Sequence, residues 1–222
     1  MTSNKKVLHI ESHYFPCIEY FYLIAQYPSV LIIQDDIYQK QQYRNRCYIL
    51  GANKVESLTV PVHSKNKMLY GDVTIDHSQN WLKVHLRTIK SAYANSPYFE
   101  HYYPLLEDIL LKRHKYLIEL NKGILTLCLM LLGWKKELTF SGRLEDKEDQ
   151  KVENYRNRVL IRKKDGPEPS NFFDMRYQQL FGNKFVSNLS ILDLLFNEGV
   201  KASDYFSEEA YNNRYKSSET NI

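Results

Sequence analysis
Many chains announce their chemistry with a short signature, and this one of 222 residues carries none of the familiar ones. It has no glycine-rich phosphate loop, no His-Glu-x-x-His, no Cys-x-x-Cys pair and no Gly-x-Ser-x-Gly elbow. Cysteine is scarce. Cys17, Cys47 and Cys128 make an odd count without metal-ligand spacing, as expected of a reducing compartment rather than a disulfide framework. Cys17 opens a predicted helix, where the dipole lowers a thiol pKa, but its apolar neighbour favours a packed thiol. His9, His13, His63, His77, His85, His101 and His114 also lack ligand spacing, so no metal site is assigned and the cofactor is left open. Long hydrophobic runs are absent too. The longest, Ile124 to Leu132, falls far short of the roughly 20 residues that span a bilayer. The opening MTSNKKVLHIESHYF has too short an apolar stretch for a signal peptide, so the expectation is a cytoplasmic protein with no membrane span. Charge of one sign is also lacking. Thirty basic residues stand against 26 acidic ones, a net +4 with no basic helix or stripe, which argues against a nucleic-acid partner.

What is abundant is tyrosine: 18 Tyr beside 10 Phe and 2 Trp. A tyrosine offers a flat apolar face and a hydroxyl, which suits sugars and heterocycles and equally fills a core where the hydroxyl finds a partner. The length suits a single domain. We expect one α/β domain over residues 1–206, a mixed β-sheet with flanking helices, and a flexible tail over 207–222. The strand Lys6–Glu11, a helix opening at Pro16 and the strand Val30–Gln34 give the β-α-β start behind that fold class. Strands at Arg46–Leu50, Ser57–Val62 and Gly71–Asp76 read as an antiparallel meander added to the same sheet. Helices are predicted from Gln79, from Ser96-Pro97 to about Arg113, and from Tyr116 to Leu132 with Gly133 as its stop. Lys136–Ser141 reads as a late strand. Ser190 and Asp193 resemble a capping box for a last helix ending at Gly199.

The densest polar stretch is Ile33 to Ile49, IQDDIYQKQQYRNRCYI. Its carboxylates follow a short apolar run, the arrangement an open α/β sheet places at its ligand-binding carboxyl edge. Arg44 and Arg46, beside Asn45 and Tyr43, suit phosphate, carboxylate or sugar recognition, because guanidinium groups bind planar anions bidentately. His85 lies on the apolar stripe of its helix and reads either as a hydrogen-bonded core histidine or as a site base. Asn121, an amide on an apolar helix face, either braces a neighbouring loop or reaches a ligand. Tyr155-Arg156-Asn157-Arg158 repeats the letters of Tyr43–Arg46, a match short enough for chance, although Arg158 could add a second cation to an anionic site.

Several blocks taken together carry a resemblance. They are YFPCIEYF, DDIYQKQQYRNR, LTVPV, W-x-x-x-H followed by SAY and SPYF, and NLSILDLLFNEG. In this order and spacing they resemble the WbqC-like family over roughly residues 6–206, in the form found in Bacteroidetes-type bacteria. The chain departs from that pattern at Cys17, where relatives carry proline or tryptophan, and after Arg158. The resemblance implies Tyr14, Pro16, Asp36, Gln39, Lys40, Arg44, Asn45, Arg46, Trp81, His85, Tyr93, Asn121, Asn188, Ser190, Asp193 and Asn197 as matching positions. It implies a transferase of surface-polysaccharide (O-antigen-like) biosynthesis, moving an acyl or aminoacyl group to an amino sugar. The expected partner is then a small-molecule substrate of the nucleotide-linked amino-sugar class, with the oligomeric state open. In that scheme His85 or Asp36 is the base. Tyr14, Gln39, Lys40, Tyr43, Arg44, Asn45, Arg46, Tyr93, Asn121, Asn188 and Asp193 bind substrate. The alternative is a non-catalytic module that presents a sugar nucleotide, or a partner, within a biosynthetic complex.

Overall fold
Four consecutive buried residues, Val7–Ile10, form β1, the strand from which the rest of the sheet is built. Such an unbroken run marks a strand covered on both faces. In the computed structural model, which describes residues 6–141, 152–160, 176–182 and 184–207, β1 is hydrogen-bonded on both sides by parallel neighbours. On one side lies β2 (Ser29–Ile33), reached through helix α1 (Ile18–Ala25). Beyond β2, and parallel to it, lies a late strand, Glu137–Ser141. On the other side of β1 lies Val152–Asn154.

Between β2 and those late strands the chain builds two antiparallel ribbons and three helices. The ribbons pair β3 (Arg46–Leu50) with β4 (Val55–Thr59), and β5 (Val62–His63) with β6 (Thr74–Ile75). The helices are α2 (Trp81–Tyr93), α3 (Phe99–Leu111) and α4 (Leu117–Leu131). Glu137–Ser141 is then β7 and Val152–Asn154 is β8, and α5 (Ile191–Glu198) follows. A 3-10 helix, Gly199–Phe206, ends the described chain. The sheet order is β7-β2-β1-β8.

The α/β class with flanking helices matches the sequence reading. The parallel and antiparallel pairings that the reading joined in one sheet are instead separate: a parallel four-stranded sheet and two detached ribbons. The predicted strand Ser57–Val62 breaks at Pro61, which has no N–H to donate, and so it divides between β4 and β5. The predicted strand Gly71–Asp76 shortens to β6, Thr74–Ile75; its first two residues belong to a 3-10 turn, Tyr70–Asp72, in which the Tyr70 and Gly71 N–H groups bond to the Asp36 and Gln34 carbonyls. Pro16 stays outside α1; Cys17 is its N-cap, and the Pro16 carbonyl accepts the Ile191 N–H at 2.9 Å. Val84, beside His85 on α2, is exposed. The tail beyond Ser207 lies outside the described residues.

The tyrosines explain themselves here. Tyr14, Tyr20, Tyr70, Tyr93 and Tyr177 are buried, and each hydroxyl has a partner: His85, the Glu11 carbonyl, Ser12, Asp193 and Asp193 in turn. These five are polar-tipped core, whereas the buried hydroxyls of Tyr38 and Tyr48 have no hydrogen-bond partner among the described residues. Each fully buried aromatic or aliphatic side chain contributes about 1.5–3 kcal/mol by leaving water.

Candidate functional site
The carboxyl ends of β1, β2 and β8 lie side by side and gather a group of charged and polar side chains. Glu11-Ser12-His13 follows β1, Asp35-Asp36 follows β2, and Tyr155-Arg156-Asn157-Arg158 follows β8. From the loop between β2 and β3, Arg44 enters this edge and is only 1% exposed. Its Nη1 donates to the Ile37 carbonyl at 2.9 Å and its Nη2 to Asn157 Oδ1 at 3.1 Å. The same Nη2 lies 3.7 Å from Asp36 Oδ2, and the guanidinium sits 5.3 Å above the Tyr70 ring. Arg156, at the rim, approaches the other Asp36 oxygen at 3.3 Å.

Asn157 joins the strands. Its φ of +55° places it in the left-handed region, which asparagine tolerates better than most residues. The turn aims its N–H at both Glu11 carboxylate oxygens, at 3.0 and 3.2 Å, while its side chain meets Arg44. Glu11 also meets His13 Nε2 at 3.3 Å, and the His13 ring stacks on Tyr43 with centroids 5.5 Å apart. Beneath lies a neutral layer. Tyr70 exchanges bonds with Ser12, and Asn121 Nδ2 donates to the Arg44 carbonyl and to the Tyr70 hydroxyl, both at 2.7 Å. Of the two roles considered for Asn121, its amide nitrogen performs the bracing.

The electrostatics follow from burial and neighbours. Burial alone would push the Glu11 carboxyl up; the His13 hydrogen bond, the Asn157 N–H and the Arg44 charge outweigh it, and Glu11 ends below its ordinary value. Burial pushes His13 down, Glu11 opposes this and the Arg44 charge adds to it, so the imidazole is neutral at pH 7. A carboxylate only accepts, so His13 Nε2–H donates to Glu11, and Nδ1 is left with a lone pair that has no hydrogen-bond partner among the described residues.

The other anticipated residues scatter around this cluster. Gln39 and Lys40 are exposed on the loop leading to it. Tyr43 is buried under His13. Asn45 Nδ2 binds the Val60 carbonyl at 2.9 Å, and Arg46 Nε binds Thr59 Oγ1 at 2.9 Å, so both tie into the β3–β4 ribbon. His85 is 3% exposed, with Nδ1 2.8 Å from the Tyr14 hydroxyl and Trp81 edge-on at 5.1 Å. Burial pushes it down to about 4, against a bond to the Thr59 backbone.

Tyr93 and Asp193 belong to a second cluster. Asp193 accepts from Tyr93, Tyr177 and Gln179, and burial raises its carboxyl above the usual range despite these three bonds. Its carboxylate is therefore not part of a capping box; Ser190 Oγ alone caps α5, accepting from the Leu192 N–H. Asn188 accepts the Glu19 N–H at 3.0 Å and donates to the Glu19 carboxylate at 3.1 Å, fastening the first turn of α1.

Glu11, His13, Ser12, Tyr70, Arg156 and Asn157 received no role in the sequence reading. Two signals pointed to some of them. Glu11 follows an apolar run just as Asp35 does, and the second Tyr-Arg-Asn-Arg tetrapeptide lies against the first. Arg158, the cation singled out there, stands over the Tyr155 ring at 4.9 Å, while Arg156 is the one that reaches Asp36.

Among the described residues no three His, Cys, Asp or Glu side chains gather as a metal site would require. No described helix is long and apolar enough to cross a membrane. A space of about 10 Å³ lies by Tyr177 and Phe185, and a cleft of about 330 Å³ lies by Trp81 and Arg113. A groove of about 580 Å³ runs by Trp134 and Phe140. None of these three is lined by Glu11, His13 or Arg44.

Comparison with known proteins bears out the family to which the resemblance points, without bearing on its Bacteroidetes-type form. The chain is 30% identical over 226 residues to "Uncharacterized protein Rv1507c" of Mycobacterium tuberculosis (strain ATCC 25618 / H37Rv), an alignment covering 90% of this chain and 97% of that protein. No solved structure gives a significant match. The profile of the WbqC-like protein family matches residues 11–166 and 169–205, which takes in the whole carboxyl-edge cluster and both helices that carry His85 and Asp193. The chain belongs to the WbqC-like protein family.

Proposed function
We propose that this protein transfers an acyl or aminoacyl group to the amine of an amino sugar, in nucleotide-linked form, during assembly of surface polysaccharide. The observation that carries the reading is the Glu11–His13 pair. One imidazole nitrogen is held by a buried carboxylate, and the other keeps its lone pair without a partner among the described residues. That is the arrangement of a general base whose tautomer is set by a carboxylate. It lies at the carboxyl edge of a parallel sheet, where open α/β folds bind ligands. This moves the base from His85 and Asp36 to His13. His85 is engaged with Tyr14 and the Thr59 backbone, and Asp36 lies between two arginines.

In the reaction, the sugar amine attacks the carbonyl carbon of an activated ester or thioester. A C–N bond forms and the bond to the leaving oxygen or sulfur breaks. His13 Nδ1 takes the proton from the amine and returns it to the leaving group. Glu11 holds the imidazole and balances its transient charge, and the neighbouring guanidinium groups attract the anionic parts of the substrate.

The test pairs nucleotide-linked amino sugars with acyl thioesters and follows amide product by mass spectrometry. Wild-type turnover that is lost in a folded His13→Gln variant supports the reading; equal turnover in the variant sinks it. A non-catalytic binding role is the second reading, favoured by the near-complete burial of Glu11 and His13, each 1% exposed. Sugar-nucleotide binding of equal strength in wild type and His13→Gln, with no product from either, would establish that role.

A further inference from the structure
Two guanidinium groups converge on Asp36, and neither depends on it for its position. Arg44 is fixed by the Ile37 carbonyl and the Asn157 side chain, and Arg156 Nε is fixed by Asn154 Oδ1 at 3.0 Å. All of these are neutral acceptors. Asp36 itself is held loosely. Its closest approaches are 3.3 Å to Arg156 and 3.7 Å to Arg44, against roughly 2.7–2.9 Å for a well-made charged hydrogen bond. Its Oδ2 makes no hydrogen bond although it is buried, and the side chain as a whole is 22% exposed. The Asp36 side chain therefore already reaches solvent, which gives the carboxylate a way to turn outward.

From this geometry we propose that Asp36 occupies an oxyanion subsite built by Arg44 and Arg156, and that a phosphate or diphosphate of the substrate fills the place when the carboxylate turns out. The proposal deepens the reading of the carboxyl edge as a ligand site and rests on it. Two forks that reach different oxygens of one carboxylate can hold two oxygens of one phosphoryl group in the same way, with Arg44 at the floor and Arg156 at the rim. Asp36 is then neither a base nor a substrate ligand. It is an internal competitor that keeps buried Arg44 neutralised while the site is empty. An ion pair that merely stabilised the fold would behave oppositely, because removing its carboxylate would harm the protein and give nothing to an added anion.

The experiment is calorimetric titration of the full-length protein at low ionic strength with inorganic phosphate, pyrophosphate and a nucleoside diphosphate. The variants are Asp36→Asn, Arg156→Ala and Arg156→Lys, with Lys135→Ala as a surface control. Asp36→Asn is expected to tighten pyrophosphate binding by about tenfold, and Arg156→Ala to weaken it by about tenfold, the scale of one charged hydrogen bond. Arg156→Lys should recover part of the loss, and Lys135→Ala should match wild type. Preference for the nucleoside diphosphate over free pyrophosphate would assign the subsite to a nucleotide; equal affinity would assign it to the phosphate chemistry alone. Unchanged or weaker binding in Asp36→Asn, or unchanged binding in Arg156→Ala, overturns the proposal. Should Asp36→Asn fail to fold, the two Arg156 variants decide alone, since that side chain is 30% exposed. Phosphate binding without any acyl transfer would leave this subsite standing and remove the transferase. Transfer without phosphate binding would do the reverse.

Discussion
Replacing Asn121 by alanine tests whether the site is braced from beneath in the manner described. Asn121 is fully buried, and its amide nitrogen serves the Arg44 carbonyl and the Tyr70 hydroxyl at 2.7 Å each. Tyr70 keeps Ser12 as a partner after the substitution, but the Arg44 carbonyl loses its donor from α4. Two lost bonds at about 1 kcal/mol each, plus about 1–2 kcal/mol for a poorly satisfied carbonyl, sum to roughly 3–4 kcal/mol. For a chain of this size that lowers Tm by about 6–16 °C. Thermal and urea denaturation followed by circular dichroism would measure it, with an unchanged urea m-value showing that only stability has moved. Lys83→Ala, on the exposed face of α2, should stay within about 0.5 kcal/mol of wild type. An Asn121→Ala variant that melts within about 2 °C of wild type would refute the bracing, because so small a loss is incompatible with two buried bonds.

Further expectations follow from burial. His85, lowered to about 4 in the folded protein, binds its proton more readily when unfolded, so its contribution is present above pH 6.5 and is lost as pH falls toward 4. That loss is on the order of 3 kcal/mol, and His85→Gln should remove this part of the pH slope while the rest of the acid unfolding profile persists. Cys17, Cys47 and Cys128 are buried free thiols, and burial pushes all three up, so a thiol-specific chromogenic reagent should find none reactive in the native protein and three after unfolding. A rapidly reacting native thiol would contradict the packing around that residue.

Much of the architecture was legible because it rests on local rules. The apolar runs at β1 and β2, the helical period from Trp81, Gly133 as a helix stop and Ser190 as a cap all place elements within a few residues of where they occur. Pairing was less legible. β1 meets β8 across more than 140 residues, and no local pattern in Val152–Asn154 specifies that partner. The site was half visible for the same reason. Arg44 and Asp36 stand out in a dense polar block, whereas Glu11 and His13 look like the end of a strand until Asn157 arrives to bond with Glu11. The buried pair of His85 and Tyr14 shows the converse: residues distinctive in sequence can owe their place to a hydrogen bond inside the core.

The contact between the two Tyr-Arg-Asn-Arg segments also bears on how the chain comes together. Arg44 and Asn157 are 113 positions apart, so the residues that satisfy Glu11 and Arg44 are synthesised long after them. Until β8 docks beside β1, a carboxylate and a guanidinium destined for the interior lack these partners, and burying them early would be strongly unfavourable. Closing so long a loop is slow as well as entropically uphill. The carboxyl edge is therefore expected to remain hydrated and open through most of folding and to seal in one of the last steps. A chain cut short before residue 152 would expose its defect at the carboxyl edge of the sheet rather than in the helical layer.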